Sequence, residues 1–167
     1  MKIKSSIKEF IYPPKTVTNS CHASTVLPLS DGSVVAAWFG GTKEGNDDVK
    51  IWVSVRDSEK WAEPYSVAVD GEALPHWNPV LFQRENGEII LYFKYGKPIP
   101  KWVTYYCISK DGGKSFSKPQ VLVPGDDDVF HERHLLRFYF DFTYILILYH
   151  ILDFPCPPER GKGPACG

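Results

Sequence analysis

The sequence lacks a surplus of either charge. Lys and Arg number 19 and Asp and Glu 20, which leaves a formal charge of −1. That balance excludes a nucleic-acid grip built on bulk positive charge, a polybasic membrane anchor and a disordered acidic tail. Cysteine is sparse too. Cys21, Cys107, Cys156 and Cys166 are scattered, with no C-x-x-C pair, and read as isolated reduced thiols. Residues 1–12 carry Lys2, Lys4, Lys8 and Glu9 and no apolar run, so they are not a secretory signal, and a cytoplasmic protein is expected. Metal-ligand spacing is missing as well. In His131-Glu132-Arg133-His134 the second imidazole of a zinc helix would stand at 135, where there is Leu135. Gly161-Lys162-Gly163 has no P-loop context. No metal and no cofactor are expected, and no nucleic-acid or membrane partner.

What the chain does contain points to β structure. Its 167 residues allow one ordinary domain, and 43% hydrophobic content supports a core. Gly numbers 13, Pro 14, and aromatic residues make up 14%, a composition of turns and strands.

The most informative feature is a repeat. Residues 26–41 read VLPLSDGSVVAAWFGG and residues 81–96 read LFQRENGEIILYFKYG. Gly32 and Gly87, Gly41 and Gly96, Trp38 and Phe93, Ser54 and Ser109, Trp61 and Phe116, and Pro64 and Pro119 all stand 55 apart. No gap is needed. Each unit divides into four short strands, expected near residues 23–29, 33–39, 49–55 and 65–69, then 79–83, 88–95, 103–109 and 121–123. Asp31-Gly32 and Asn86-Gly87 supply the positive φ of tight hairpins. A four-stranded meander repeating at this spacing predicts propeller blades.

One turn carries a sharper pattern. Ser109-Lys110-Asp111-Gly112-Gly113-Lys114-Ser115-Phe116 fits Ser-x-Asp-x-Gly-x-Ser/Thr-aromatic. Its carboxylate can accept backbone N–H bonds, its glycines allow tight φ, and its aromatic ring plugs the blade. The pattern resembles the Asp-box, or bacterial neuraminidase repeat, of the sialidase-like propellers. A worn copy runs from Ser54 through Asp57 to Trp61, its Asp one place out of register. Further blocks resemble the same family over about residues 19–125: Cys21-His22-Ala23-Ser24-Thr25, Trp38 to Gly45 with Asp48-Val49, Trp77 to Phe82, and Lys94-Tyr95-Gly96 with Lys101-Trp102. The resemblance implies an all-β, normally six-bladed propeller, of which this chain holds about two four-stranded antiparallel blades, and an exo-α-sialidase-like glycosidase acting on terminal sugars. The alternative is a non-catalytic carbohydrate-binding or protein-interaction propeller module.

Blade topology sorts the candidate residues. Loops after the second and fourth strands leave the face opposite the Asp-box. They gather Lys43, Glu44, Asp47, Asp48, His76, Trp77, Asn78, Lys97, Lys101 and Trp102, and His22 joins them from the segment before the first strand. Aromatic rings for the faces of a sugar and polar groups for its hydroxyls suit a glycan or glycoside. Glycoside cleavage needs a protonated acid and a second group, and sialidases use a Tyr nucleophile in place of the usual second carboxylate. Glu44 or Asp48 is the candidate acid, with Asp47 behind them. His22, Lys43, Trp77, Asn78, Lys94 and Trp102 are the candidate sugar-binding residues. His22 and Trp77 hold equivalent places, as pocket lining or as packing. Lys94 replaces the apolar Phe39 of the first unit and leans towards function. Sialidases usually carry an Arg before the first strand and a Tyr-Asp-type pair after the second. Here these places read Ser20-Cys21-His22-Ala23 and Phe39-Gly40, which argues against sialic acid itself.

The repeat ends after residue 125. Adding 55 to Gly87 and Gly96 reaches Phe142 and Ile151. Residues 135–154 read LLRFYFDFTYILILYHILDF, a strand-prone segment too often charged for a membrane span. The expected organisation is a propeller fragment over 1–125 and an atypical, non-native or disordered tail over 126–167, as from a frameshift, a mis-assigned exon or a truncation. If the short chain is genuine, oligomerisation is the expected way to cover its open blade faces.

Overall fold

Two hairpin turns of the same design set the architecture. In the first, Gly32 sits at φ 85°, its N–H reaches the Leu29 carbonyl at 3.1 Å, and Asp31 Oδ1 accepts the Ser33 N–H at 2.9 Å. In the second, Gly87 sits at φ 84°, its N–H reaches the Arg84 carbonyl at 2.9 Å, and Asn86 Oδ1 accepts the Glu88 N–H at 3.1 Å. The computed structural model describes residues 8–123. The tail expected over 126–167 and the boundary at 125 lie outside the described residues.

Eight strands follow in order: β1 (Ser20–Pro28), β2 (Val34–Gly41), β3 (Lys50–Arg56), β4 (Tyr65–Val67), β5 (His76–Gln83), β6 (Ile89–Tyr95), β7 (Val103–Ser109) and β8 (Gln120–Val121). A short 3-10 turn (Ile99–Lys101) lies between β6 and β7, and no α-helix occurs among the described residues. The strands form two antiparallel four-stranded sheets, β1-β2-β3-β4 and β5-β6-β7-β8. These are the two expected propeller blades. All eight strands fall where the repeat puts them, but β1 and β5 start at Ser20 and His76, ahead of the expected 23 and 79. The extension passes through a bulge in each blade, between His22 and Thr25 and between Trp77 and Val80. Both bulges contain a residue at positive φ, Ala23 at 46° and Asn78 at 43°.

The core lies between the blades. Val35, Ala37 and Phe39 of β2, with Ile51 and Val53 of β3, meet Leu81 of β5, Ile89, Leu91 and Phe93 of β6, and Cys107 of β7. Burial in this apolar cluster pushes the Cys107 thiol up to about 12, so it stays protonated and inert. The other face of β2 is covered by the N-terminal segment. Tyr12 stacks on Trp38 with ring centroids 5.4 Å apart, and Glu9 pairs with Arg56. Cover on both faces explains why β2 reads as an unbroken apolar run where a half-exposed strand would alternate.

The Asp-box of the second blade closes as expected and also grips the first. Ser109 Oγ donates to Asp111 Oδ1 at 2.8 Å and accepts the Gly113 N–H at 2.8 Å; Asp111 accepts the Ser115 N–H at 3.0 Å. Phe116 packs against the core cluster. The Tyr65 hydroxyl of the first blade then donates to the Gly113 carbonyl at 2.6 Å. In the worn copy, Ser54 turns its hydroxyl to the Ala62 carbonyl at 2.8 Å, while Asp57 caps the N–H groups of Glu59 and Lys60. One residue of slippage separates serine from carboxylate.

Candidate functional site

The face opposite the Asp-box is built from two loops and two bulges. The loop over residues 42–48 is folded by consecutive turns, Asn46 N–H to the Lys43 carbonyl and Val49 N–H to the Asn46 carbonyl, both 3.1 Å. Asp48 fastens its start: the carboxylate accepts the Thr42 N–H at 2.8 Å and the Thr42 hydroxyl. The second loop, over residues 96–102, comes from the other blade. Lys97 reaches across to Asp47 at 2.8 Å and ties the two loops together.

The bulges place the aromatic groups. His22 and Trp77 flank Phe39, each with its ring 5.7 Å from the Phe39 ring. Trp77 is stacked on Trp102 at 4.9 Å and 29°. Its indole N–H is fixed to the Gly96 carbonyl at 3.1 Å, and a Cβ added at Gly45 of the first loop would stand 3.5 Å from the ring. The Trp102 indole N–H is buried and has no hydrogen-bond acceptor among the described residues.

The three carboxylates differ in what they face. Hydrogen bonding from Thr42 holds the Asp48 carboxyl below the ordinary aspartate range, so it stays ionised at neutral pH. Asp47 is paired with Lys97. Glu44 faces His22, with Nε2 to Oε2 at 3.8 Å, and both side chains are about half exposed. His22 Nε2 also lies 3.1 Å from Ser20 Oγ. Both partners meet the same ring nitrogen, so Ser20, His22 and Glu44 do not form a nucleophile–base–orienter relay, which needs one partner on each nitrogen.

Lys43 is exposed on the first loop, and Asn78 occupies the left-handed bulge position beside Trp77. Lys94 stands opposite Trp77 in the β5–β6 ladder, with its ammonium 2.6 Å from Thr104 Oγ1. Burial lowers its pKa from the ordinary lysine value. His76 is not at this face. It is 4% exposed and joins the blades: Nδ1 lies 2.8 Å from the Val49 carbonyl, and Nε2 accepts the Val69 N–H at 2.9 Å. That pairing fixes the neutral ring with its proton on Nδ1, and burial lowers its pKa. The structure thus sets His22 against Glu44 and Phe39, sets Trp77 between Phe39 and Trp102, ties Asp47 to Lys97, and turns Asp48 into a loop fastener.

The sequence did not announce a recess beside Asp48. It measures about 340 Å³ and is lined by residues 15–19, Gly41, Thr42, Asp48, Lys50 and Trp52. The residues after Tyr12 form one wall, and no repeat partner exists from which that wall could have been read.

Comparison with known proteins gives a family. The BNR repeat-like domain family matches residues 32–137. Among solved structures, a protein of unknown function from Dyadobacter fermentans DSM 18053 is similar with a TM-score of 0.47 and 18% identity, over 60% of this chain and 35% of that one. A polysaccharide lyase of family PL25, an ulvan lyase bound to -[GlcA(1-4)Rha3S]-, is similar with a TM-score of 0.42 and 18% identity, over 60% of this chain and 24% of the lyase. The match thus spans about a third and a quarter of those chains. No curated protein matches.

Proposed function

This chain belongs to the BNR repeat-like domain family, and from that premise we propose that its two blades form one side of a glycan site used by an exo-acting glycoside hydrolase. The observation that carries the reading is the Trp77–Trp102 stack beside the Glu44–His22 pair. An indole held in place by its own N–H offers a rigid apolar surface for one face of a sugar ring. Lys43 lies on the first loop and Asn78 follows Trp77 in the β5 bulge, and this reading gives them the sugar hydroxyls to bind. Glu44 is the proton donor in this reading. Of the three carboxylates it alone has neither a lysine nor a hydroxyl on it among the described residues, whereas Asp48 is held ionised by Thr42. Asp48, held by Thr42 and serving the loop, is the poorer candidate for a group that must hand a proton to the leaving oxygen.

The test is turnover of fluorogenic glycosides by the full chain, with glycan binding measured in parallel. Glu44→Gln is expected to lower turnover at least about 100-fold, in the range of a lost general acid, while Asp48→Asn mainly loosens the loop. Trp77→Ala is expected to abolish binding. Turnover unchanged in Glu44→Gln would overturn the assignment.

A second reading is favoured by the engagement of Asp47 with Lys97 and of Asp48 with Thr42, which leaves Glu44 without a second free carboxylate. It is a carbohydrate-binding module without turnover. Binding that needs Trp77 or Trp102 and survives Glu44→Gln, with no hydrolysis of any glycoside, selects it.

A further inference from the structure

A recess of about 340 Å³ lies beside Asp48, apart from the stacked tryptophans. We propose that it binds a single sugar residue carrying an anionic substituent, as a subsite separate from the stacked tryptophans. The proposal extends the glycan reading above and rests on it.

The walls are fixed before any ligand arrives. On one side, Tyr12 is stacked on Trp38 and shares a hydrogen bond of 3.1 Å with the buried Thr18. Thr16 turns its N–H and hydroxyl to the Pro13 carbonyl at 3.2 and 2.7 Å, and Lys15 between them takes φ 64°. On the other side Asp48 holds Thr42. Trp52 is oriented by its indole N–H, which donates to the Gly40 carbonyl at 3.0 Å. The two walls come this close because Gly40 has no side chain: a Cβ there would stand 2.8 Å from the Ser20 carbonyl and 3.1 Å from Thr18 Cγ2. A preformed site loses little to ordering when it binds.

The lining decides the ligand class. Lys15 and Lys50 stand among the lining residues with Asp48 as the one acid there, so the lining carries net positive charge. The hydroxyls of Thr16 and Thr42 donate to Pro13 and Asp48 and keep lone pairs to accept with, Asn19 adds an amide, and Trp52 adds the apolar surface of its indole. An inorganic anion would use the ammonium groups and leave the rest idle. A neutral sugar would leave two cations without a counter-charge. A pyranose with a carboxylate or a sulfate uses all three kinds of group. The volume of about 340 Å³ suits one sugar residue and lies at the small end of ligand pockets.

The experiment is calorimetric titration of the full chain with galacturonate, galactose 6-sulfate, galactose and inorganic sulfate. Expected is binding of one or both acidic sugars at least ten times tighter than galactose and than sulfate alone; which acidic sugar is preferred tells carboxylate from sulfate. Lys50→Gln and Lys15→Gln should each weaken that binding about tenfold, with unaltered circular dichroism. Equal binding of galactose removes the anionic requirement. Sulfate as tight as either sugar reduces the recess to an anion site. Acidic-sugar binding unchanged in both Lys15→Gln and Lys50→Gln, or none at millimolar concentration, also overturns the proposal. Failure of the glycan reading itself would appear separately, as neutral-glycan binding indifferent to Trp77.

Discussion

Ala23 and Asn78 occupy the same place in successive blades and share a left-handed backbone, with φ 46° and 43°. Each lies one residue after a ring that borders Phe39, His22 in the first blade and Trp77 in the second. The bulges shift the ladder at these points and turn both rings to the same neighbour. Asparagine tolerates this conformation; alanine meets it at a cost of about 1 kcal/mol or more. Ala23→Gly is therefore expected to leave stability within about 1 kcal/mol, because relief of strain offsets added chain entropy. Ala23→Val should lose about 2 kcal/mol. Chemical unfolding of the two variants measures the difference, and equal stability would mean that the bulge relaxes without cost.

Two glycines with nearly the same φ should respond differently to alanine. Gly32 is at φ 85°, and a Cβ there would meet nothing within 4 Å, whereas at Gly113, φ 84°, a Cβ would stand 2.8 Å from Val35 Cγ2. Gly32→Ala carries only the backbone cost, about 1 kcal/mol. Gly113→Ala adds overlap with a fully buried valine of the other blade and should lose about 3 kcal/mol in total. A gap under about 1 kcal/mol between the two unfolding free energies would show that Val35 yields easily.

The extent to which this fold could be read from sequence follows from how local its signals are. Gly32 and Gly87 mark hairpins by their own chemistry, so the 55-residue offset placed all eight strands. The bulges were not legible, because nothing in Ala23 advertises a positive φ. Strand topology gathers the loop residues at one end of the blades, but it does not give their partners. The bond from Asp48 to Thr42 depends on how the loop turns, and the burial of His76 depends on Val49 and Val69 of the other blade. The recess at Lys15, Lys50 and Trp52 depends on a segment outside the repeat. Pairwise geometry between distant positions leaves no periodic trace.

Asp111 shows what one loop carboxylate does for two blades. Burial alone would raise its pKa, but hydrogen bonds from Ser115 and Ser109 and the Lys114 backbone outweigh it and hold the carboxyl below the ordinary range. The same bonds shape the turn that presents the Gly113 carbonyl to Tyr65. Asp111→Ala is expected to lose about 2 kcal/mol, the sum of two or three modest hydrogen bonds. Asp57→Ala, in the worn copy, should lose less, because Asp57 caps only its own turn. Thermal unfolding of the two variants side by side decides it, and the reverse order would remove the Asp-box from the interblade contact.

His76 makes the blade interface sensitive to acid. Its folded-state pKa lies below the ordinary 6.5, chiefly through burial, with Lys50 as the nearby charge acting in the same direction. In the unfolded chain the ring takes up a proton near 6.5, while in the folded protein Nε2 is occupied by the Val69 N–H and resists protonation until the pH is lower. The unfolded state therefore binds more protons in this window, and stability falls as pH decreases. The full contribution is present above about 6.5 and is lost as the pH drops from there through the lowered folded-state value. Asp48 and Asp111, also lowered, add a second loss below about 3.8, where the unfolded carboxyls take up protons first. Urea midpoints measured from about pH 8 to about pH 3 should show two descending steps. His76→Gln, which keeps an acceptor for the Val69 N–H without a group that titrates here, should erase the upper step and leave the lower one. A single step below about 3.8 in the parent protein would mean that the ring does not carry the latch.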